Sequence, residues 1–146
     1  MRAVTSRMAF RILIAAGNPE YRTSLRELAD ATRGFLPIGL EVEEAASIAE
    51  TQERLRTWSP DALMVDWSLV PEGVLGAIRS VVAEHPELRI LLLLPDVRHE
   101  YREAAWAVGA CACVPRERID PEWLQAILCV MNRAKEREMR IRSQVA

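Results

Sequence analysis

Five short apolar runs, each followed by a stretch with helical periodicity, constrain this chain more than any other feature. The runs are Phe10–Ala16, Leu40–Ala45, Ala62–Asp66, Arg89–Leu94 and Ala110–Val114. After the first, Leu25, Leu28 and Ala29, with Tyr21 a turn earlier, recur at the spacing of a one-sided helix. The five helical segments read as Pro19–Thr32, Ile48–Trp58, Val74–Glu84, His99–Val108 and a last one running from Pro121 to about Arg142. Such strict alternation implies a parallel sheet with helices on both faces and right-handed crossovers.

Local chemistry supports these boundaries. Asn18, Ser47 and Asp120 stand where N-caps belong, and Pro19 and Pro121 suit a first helical position. Ser59-Pro60 and His85-Pro86 close the second and third helices, and Gly109 is a natural stop after the fourth. The run Ile90–Leu94 is continuously apolar, as a central parallel strand should be, whereas Leu40 and Val42 alternate with Glu41 and Glu43, as at a sheet edge. The expected fold is α/β and flavodoxin-like: a three-layer sandwich around a five-stranded parallel sheet in order 2-1-3-4-5, with five helices. In that order the ends of strands 1 and 3 flank the crevice where ligands bind, so Ala16-Gly17 and Asp66 should meet there.

A length of 146 residues suits one domain with a sizeable core. The expected division is an N-terminal extension over 1–9, the domain over 10–132, and a C-terminal helical extension or linker over 133–146. The net charge of −2 gives no overall basic field for nucleic acid, and Lys135 is the single lysine. Three cysteines, an odd number without a secretory signal, point to a reducing, cytoplasmic setting. The strongest apolar run, Ile90–Leu94, is far short of the ~20 residues a bilayer span needs, so no membrane partner is expected.

Three stretches, Arg11–Leu25 (RILIAAGNPEYRTSL), Pro60–Leu69 (PDALMVDWSL) and Tyr101–Arg116 (YREAAWAVGACACVPR), occur in an order and spacing that resembles the receiver domain of two-component response regulators. The likeness extends over about residues 10–132. Asn18-Pro19 and Val114-Pro115-Arg116 look most like the subfamily with helix-turn-helix output domains. The resemblance implies that Asp66 occupies the phosphoacceptor position. It also implies a degenerate pocket. The two metal-holding acids fall on Ala16 and Gly17, the hydroxyl residue of strand 4 on Leu94, the lysine of strand 5 on Arg116, and the aromatic switch residue on Cys113.

Phosphoryl transfer needs a metal to neutralise developing charge, and Mg²⁺ wants carboxylate oxygens. With one acid left, Mg²⁺ binding is expected to be weak or absent, and no other cofactor is implied. The resulting reading is an atypical or pseudo-receiver that signals through protein–protein contact, homodimerisation first, with its phosphorylation switch lost. Two alternatives stand beside it. Asp66 is still phosphorylated in a receiver serving a DNA-binding transcriptional regulator, or the emptied crevice senses a small molecule. DNA would be reached only through an output domain outside this chain. In the plainest reading, Asp66 is a structural acid that pairs with Arg116 or caps the following turn. No nucleophile-plus-base set, Gly-rich phosphate loop or metal-ligand spacing points to an enzyme.

Cys111 and Cys113, two apart on a predicted strand, should share a face. With only Cys129 besides, they read as small buried residues rather than a zinc site. Trp106 and Trp123 are candidate interface residues on the strand 4–5 side, with core packing as the plainer alternative. Beyond Met131 the apolar stripe thins to Ala134, Met139 and Ile141 among five basic and two acidic residues. It is either a coiled-coil-like signalling helix or a solvated tail fraying after about Lys135.

Overall fold

The computed structural model describes residues 9–37 and 39–145. Residues 1–8 of the expected N-terminal extension lie outside the described residues. Five strands form one parallel sheet in the order β2-β1-β3-β4-β5. They are β1 (Phe10–Ala15), β2 (Leu40–Ala45), β3 (Ala62–Asp66), β4 (Arg89–Leu94) and β5 (Ala112–Pro115). The helices are α1 (Pro19–Thr32), α2 (Ile48–Trp58), α3 (Val74–Glu84), α4 (His99–Ala107) and α5 (Pro121–Val145). This is the flavodoxin-like topology the alternation implies.

Side-chain alternation along each strand divides the core into two layers. Ile12, Ile14, Met64, Leu91 and Leu93 face α1 and α5, meeting Leu25, Leu124, Leu128 and Met131. Leu13, Leu63, Val65, Leu92 and Leu94 face the other way, against Leu55 of α2, Ile78 and Val81 of α3, and Ala105 of α4. The strands β1, β3 and β4 are covered on both faces, which is why nearly every residue in them is apolar.

The expected caps are in place. Asn18 Oδ1 accepts from the Tyr21 amide at 2.9 Å, Ser47 Oγ from Glu50 at 3.1 Å and Asp120 Oδ1 from Trp123 at 2.8 Å. Strand 5 starts later than its sequence suggests. Gly109 takes φ = 100°, and Ala110 N donates back to Ala105 O, so the chain is still leaving α4 at that point. A side chain at residue 109 would be strained in that backbone conformation and would meet Val82 at 3.3 Å. Because the strand begins at Ala112, Cys111 escapes its alternation. Cys113 packs on the α2–α4 layer, while Cys111 lines a shallow apolar recess beside Ile127, Val130 and Met131 of α5. The two thiols therefore do not share a face. The last helix runs unbroken to Val145, past the expected domain end.

Candidate functional site

Asp66 closes β3 at the carboxyl end of the sheet and is 1 % exposed. The register pairs Ala15 with Val65 and Asp66 with Leu93, so Ala16 lies one step on, alongside Asp66, at the β1/β3 switch point. Leu94 pairs with Pro115, and Arg116 follows immediately. The five positions expected to form one crevice therefore come from adjacent strand ends.

The Asp66 carboxylate is held on one side only. Its Oδ2 accepts from the Ser68 amide at 3.2 Å, from the Ser68 hydroxyl, and from Arg116 Nη2 at 3.4 Å. The first of these contacts caps the short 3₁₀ turn Trp67–Leu69. The other oxygen, Oδ1, is buried and has no hydrogen-bond partner among the described residues. Such an orphan normally costs ~1–3 kcal/mol.

Arg116 is positioned from two sides. Its amide donates to Leu94 O at 2.9 Å, and its guanidinium lies 4.4 Å from the centroid of the Tyr21 ring, a cation–π contact. Burial raises the pKa of the Tyr21 hydroxyl above its ordinary value, opposed by its hydrogen bond with Arg116. Leu94 itself is buried in the α2–α4 layer and offers no donor to the crevice beyond its backbone.

Where a metal would need acids, Ala16 supplies a buried methyl group and Gly17 a hydrogen. The Ala16 carbonyl already accepts from Arg22 Nη1 at 2.8 Å, and the same guanidinium reaches Glu44 at 3.2 Å. A cation thus stands against the end of β1. Among the described residues, no three His, Cys, Asp or Glu side chains converge as a metal site. One carboxylate with a single free oxygen is a poor donor set for Mg²⁺.

Cys113 pairs with Leu92 and faces α4, where burial raises its thiol pKa, opposed by Arg102. Trp106 on α4 is 51 % exposed, whereas Trp123 is partly buried against the α1–α5 layer. Sequence reasoning missed Ser68, Tyr21 and Arg22 as neighbours of the crevice. Ser68 carried a readable signal, a hydroxyl two residues after an acid, the spacing of a local Asx turn. Tyr21 and Arg22 carried none, because only the docking of α1 brings its first turn over the strand ends.

No protein-family model matches the chain, and no curated protein matches it. Solved structures do. A LuxR-family two-component response regulator from Aurantimonas is 27 % identical, covers 84 % of each chain, and superposes with a TM-score of 0.70. The fold is that of a response-regulator receiver domain. A chemotaxis response regulator of Vibrio cholerae (21 % identity, 84 % of this chain and 98 % of that one, TM-score 0.67) and a two-component response regulator from Clostridium difficile (14 %, 85 % and 96 %, 0.72) share it. Within this receiver fold, no helix of the described residues is long and apolar enough to cross a membrane.

Proposed function

We propose that this receiver domain is a non-enzymatic, cytoplasmic signalling module that works by protein–protein contact, homodimerisation first, and that its Mg²⁺-dependent phosphorylation switch is lost. The observation that carries this reading is the state of the crevice. Its one acid is engaged by Ser68 and Arg116, and the neighbouring strand end presents Ala16 and Gly17 beneath an arginine instead of a metal-binding pair. Arg116 keeps a positive charge at the lysine position, but it is spent on Asp66 and stacked on Tyr21. Without a divalent cation to bridge Asp66 and an incoming phosphoryl group, the remaining charges are two arginines already engaged, Arg116 by Asp66 and Arg22 by Ala16 O and Glu44. Trp106, half exposed on α4, is the residue proposed to anchor contact with a second copy.

A second reading has one observation in its favour. The unpartnered Oδ1 of Asp66 is the atom a phosphoacceptor would use, and the Aurantimonas relative is described as a LuxR-family regulator. In that reading the chain is the phosphorylated receiver of a DNA-binding regulator, with the output domain outside these residues.

One experiment separates the two. The chain is incubated with acetyl phosphate and Mg²⁺, then followed by intact mass and by light scattering across a concentration series. The expected result is no mass gain and a concentration-dependent dimer that Trp106→Ala weakens. An added phosphoryl group lost on Asp66→Asn would overturn the first reading, and a monomer at every concentration would remove the dimer.

A further inference from the structure

The face of α5 that enters the core does not end where the core ends. Leu124, Leu128 and Met131 are buried, and the same seam, at alternating steps of four and three, continues through Lys135, Glu138 and Arg142. Each of these three charged residues meets an opposite charge on the amino-terminal edge of the sheet. Lys135 Nζ lies 3.0 Å from Asp61 Oδ2, Glu138 accepts from Arg89 at 2.7 Å, and Arg142 pairs with Glu87. The helix presents plus, minus, plus; the domain presents minus, plus, minus. The pairs also loosen outward. Side-chain exposure is 20 % on both sides at Lys135–Asp61, 12 % and 49 % at Arg89–Glu138, and 58 % and 68 % at Arg142–Glu87.

We infer that α5 beyond Met131 is an electrostatic strap, docked on the underside of the domain by charge and released by ionic strength. Apolar packing cannot hold it, because Met139, Ile141 and Val145 are each more than half exposed. Pairs this exposed are screened as the Debye length falls from about 8 Å at 0.15 M salt to about 3 Å at 1 M. Exposed pairs are individually weak, so the strap sits at the low-stability end of the molecule. The docked strap forms one wall of a cleft of about 580 Å³, whose other walls include Leu55, Pro60, Pro86 and Leu88. Release removes that wall and frees Asp61, Glu87 and Arg89 for a competing charged partner. The same pairing argues against a coiled coil through this seam, since its seam positions are charged and already occupied.

Hydrogen–deuterium exchange of the full chain tests this. At low salt, amides over 133–145 should be protected. Raising NaCl to 1 M should speed their exchange by about tenfold, most at the Arg142 end, while 121–131 stays unchanged. Glu138→Arg should give the same loosening at low salt, and adding Arg89→Glu, which restores opposite charges, should reverse it. Protection over 121–131 reports intact folding in each variant, and the salt arm needs no substitution. A tail that exchanges at a salt-independent rate, or one that is unprotected from the start, would overturn the strap. So would a charge swap that fails to restore protection.

Discussion

The two ends of β3 carry the same chemical group and treat it in opposite ways. At the amino-terminal end, Asp61 Oδ2 accepts from the Arg11 amide at 2.8 Å and from Lys135 at 3.0 Å, and the Asp61 backbone links β1 to β4. Its side chain is 20 % exposed, so water can reach whatever the protein leaves unbonded. At the carboxyl end, Asp66 is sealed and one oxygen is left bare. Each acid is met by a cation from the chain that follows β5, Lys135 below and Arg116 above. The difference separates an acid kept because it stabilises from one kept at a cost. Asp61 ties three elements together, whereas Asp66 carries a desolvation penalty that its partners only half offset. A penalty of that kind is common at functional crevices and rare at purely structural positions.

Three changes would break or sharpen this contrast. The largest effect is expected from placing acids at the upper end. Ala16→Asp with Gly17→Asp should raise Mg²⁺ affinity by about a hundredfold or more, since two carboxylates would join Asp66 in a hard-oxygen site. A side chain at Gly17 has room, its nearest neighbour being Ala46 O at 3.8 Å. Titration calorimetry with Mg²⁺ checks it, and an unchanged affinity would mean that Arg22, and not the side chains at positions 16 and 17, controls the site. Next comes Asp61→Ala. It removes the side-chain acceptor of the Arg11 amide and the Lys135 pair, so it should cost about 2 kcal/mol in urea unfolding. The smallest effect belongs to Asp66→Asn, which removes a half-satisfied buried charge. Stability should shift by less than about 1 kcal/mol in either direction, because the lost pairing and the relieved desolvation oppose each other. A loss larger than that for Asp61→Ala would invert the comparison and make Asp66 the structural acid.

Much of this was legible in the residues. Period-two and period-three-to-four patterning, capping side chains and the Pro-bounded ends specify ten elements, because each signal acts within a turn or a strand of its own position. The coming together of Ala16, Asp66, Leu94 and Arg116 follows from strand order alone. Less legible was strand 5, where Ala110 and Cys111 are apolar enough to join a strand but are held back by hydrogen bonds to α4 and β4 and by the left-handed Gly109. The late part of α5 was ambiguous for a different reason. Its charges look like a solvated face until the positions of Asp61, Arg89 and Glu87 are known.

By itself, then, the sequence determined the layered parallel fold and that the end of β1 carries Ala16 and Gly17 with no acid, since both are written in residue type and local order. The sequence offered the Arg116 pair or the turn cap for Asp66; only the tertiary structure decided that both form on one oxygen, that Tyr21 and Arg22 shape the crevice, and that the sole lysine serves the opposite end of the same strand. These are contacts between residues 50, 95 and 74 positions apart, in the cases of Arg116–Asp66, Tyr21–Arg116 and Lys135–Asp61. Such separations leave no periodic trace in the chain, because a long-range contact depends on how finished elements dock and not on what lies next to either residue.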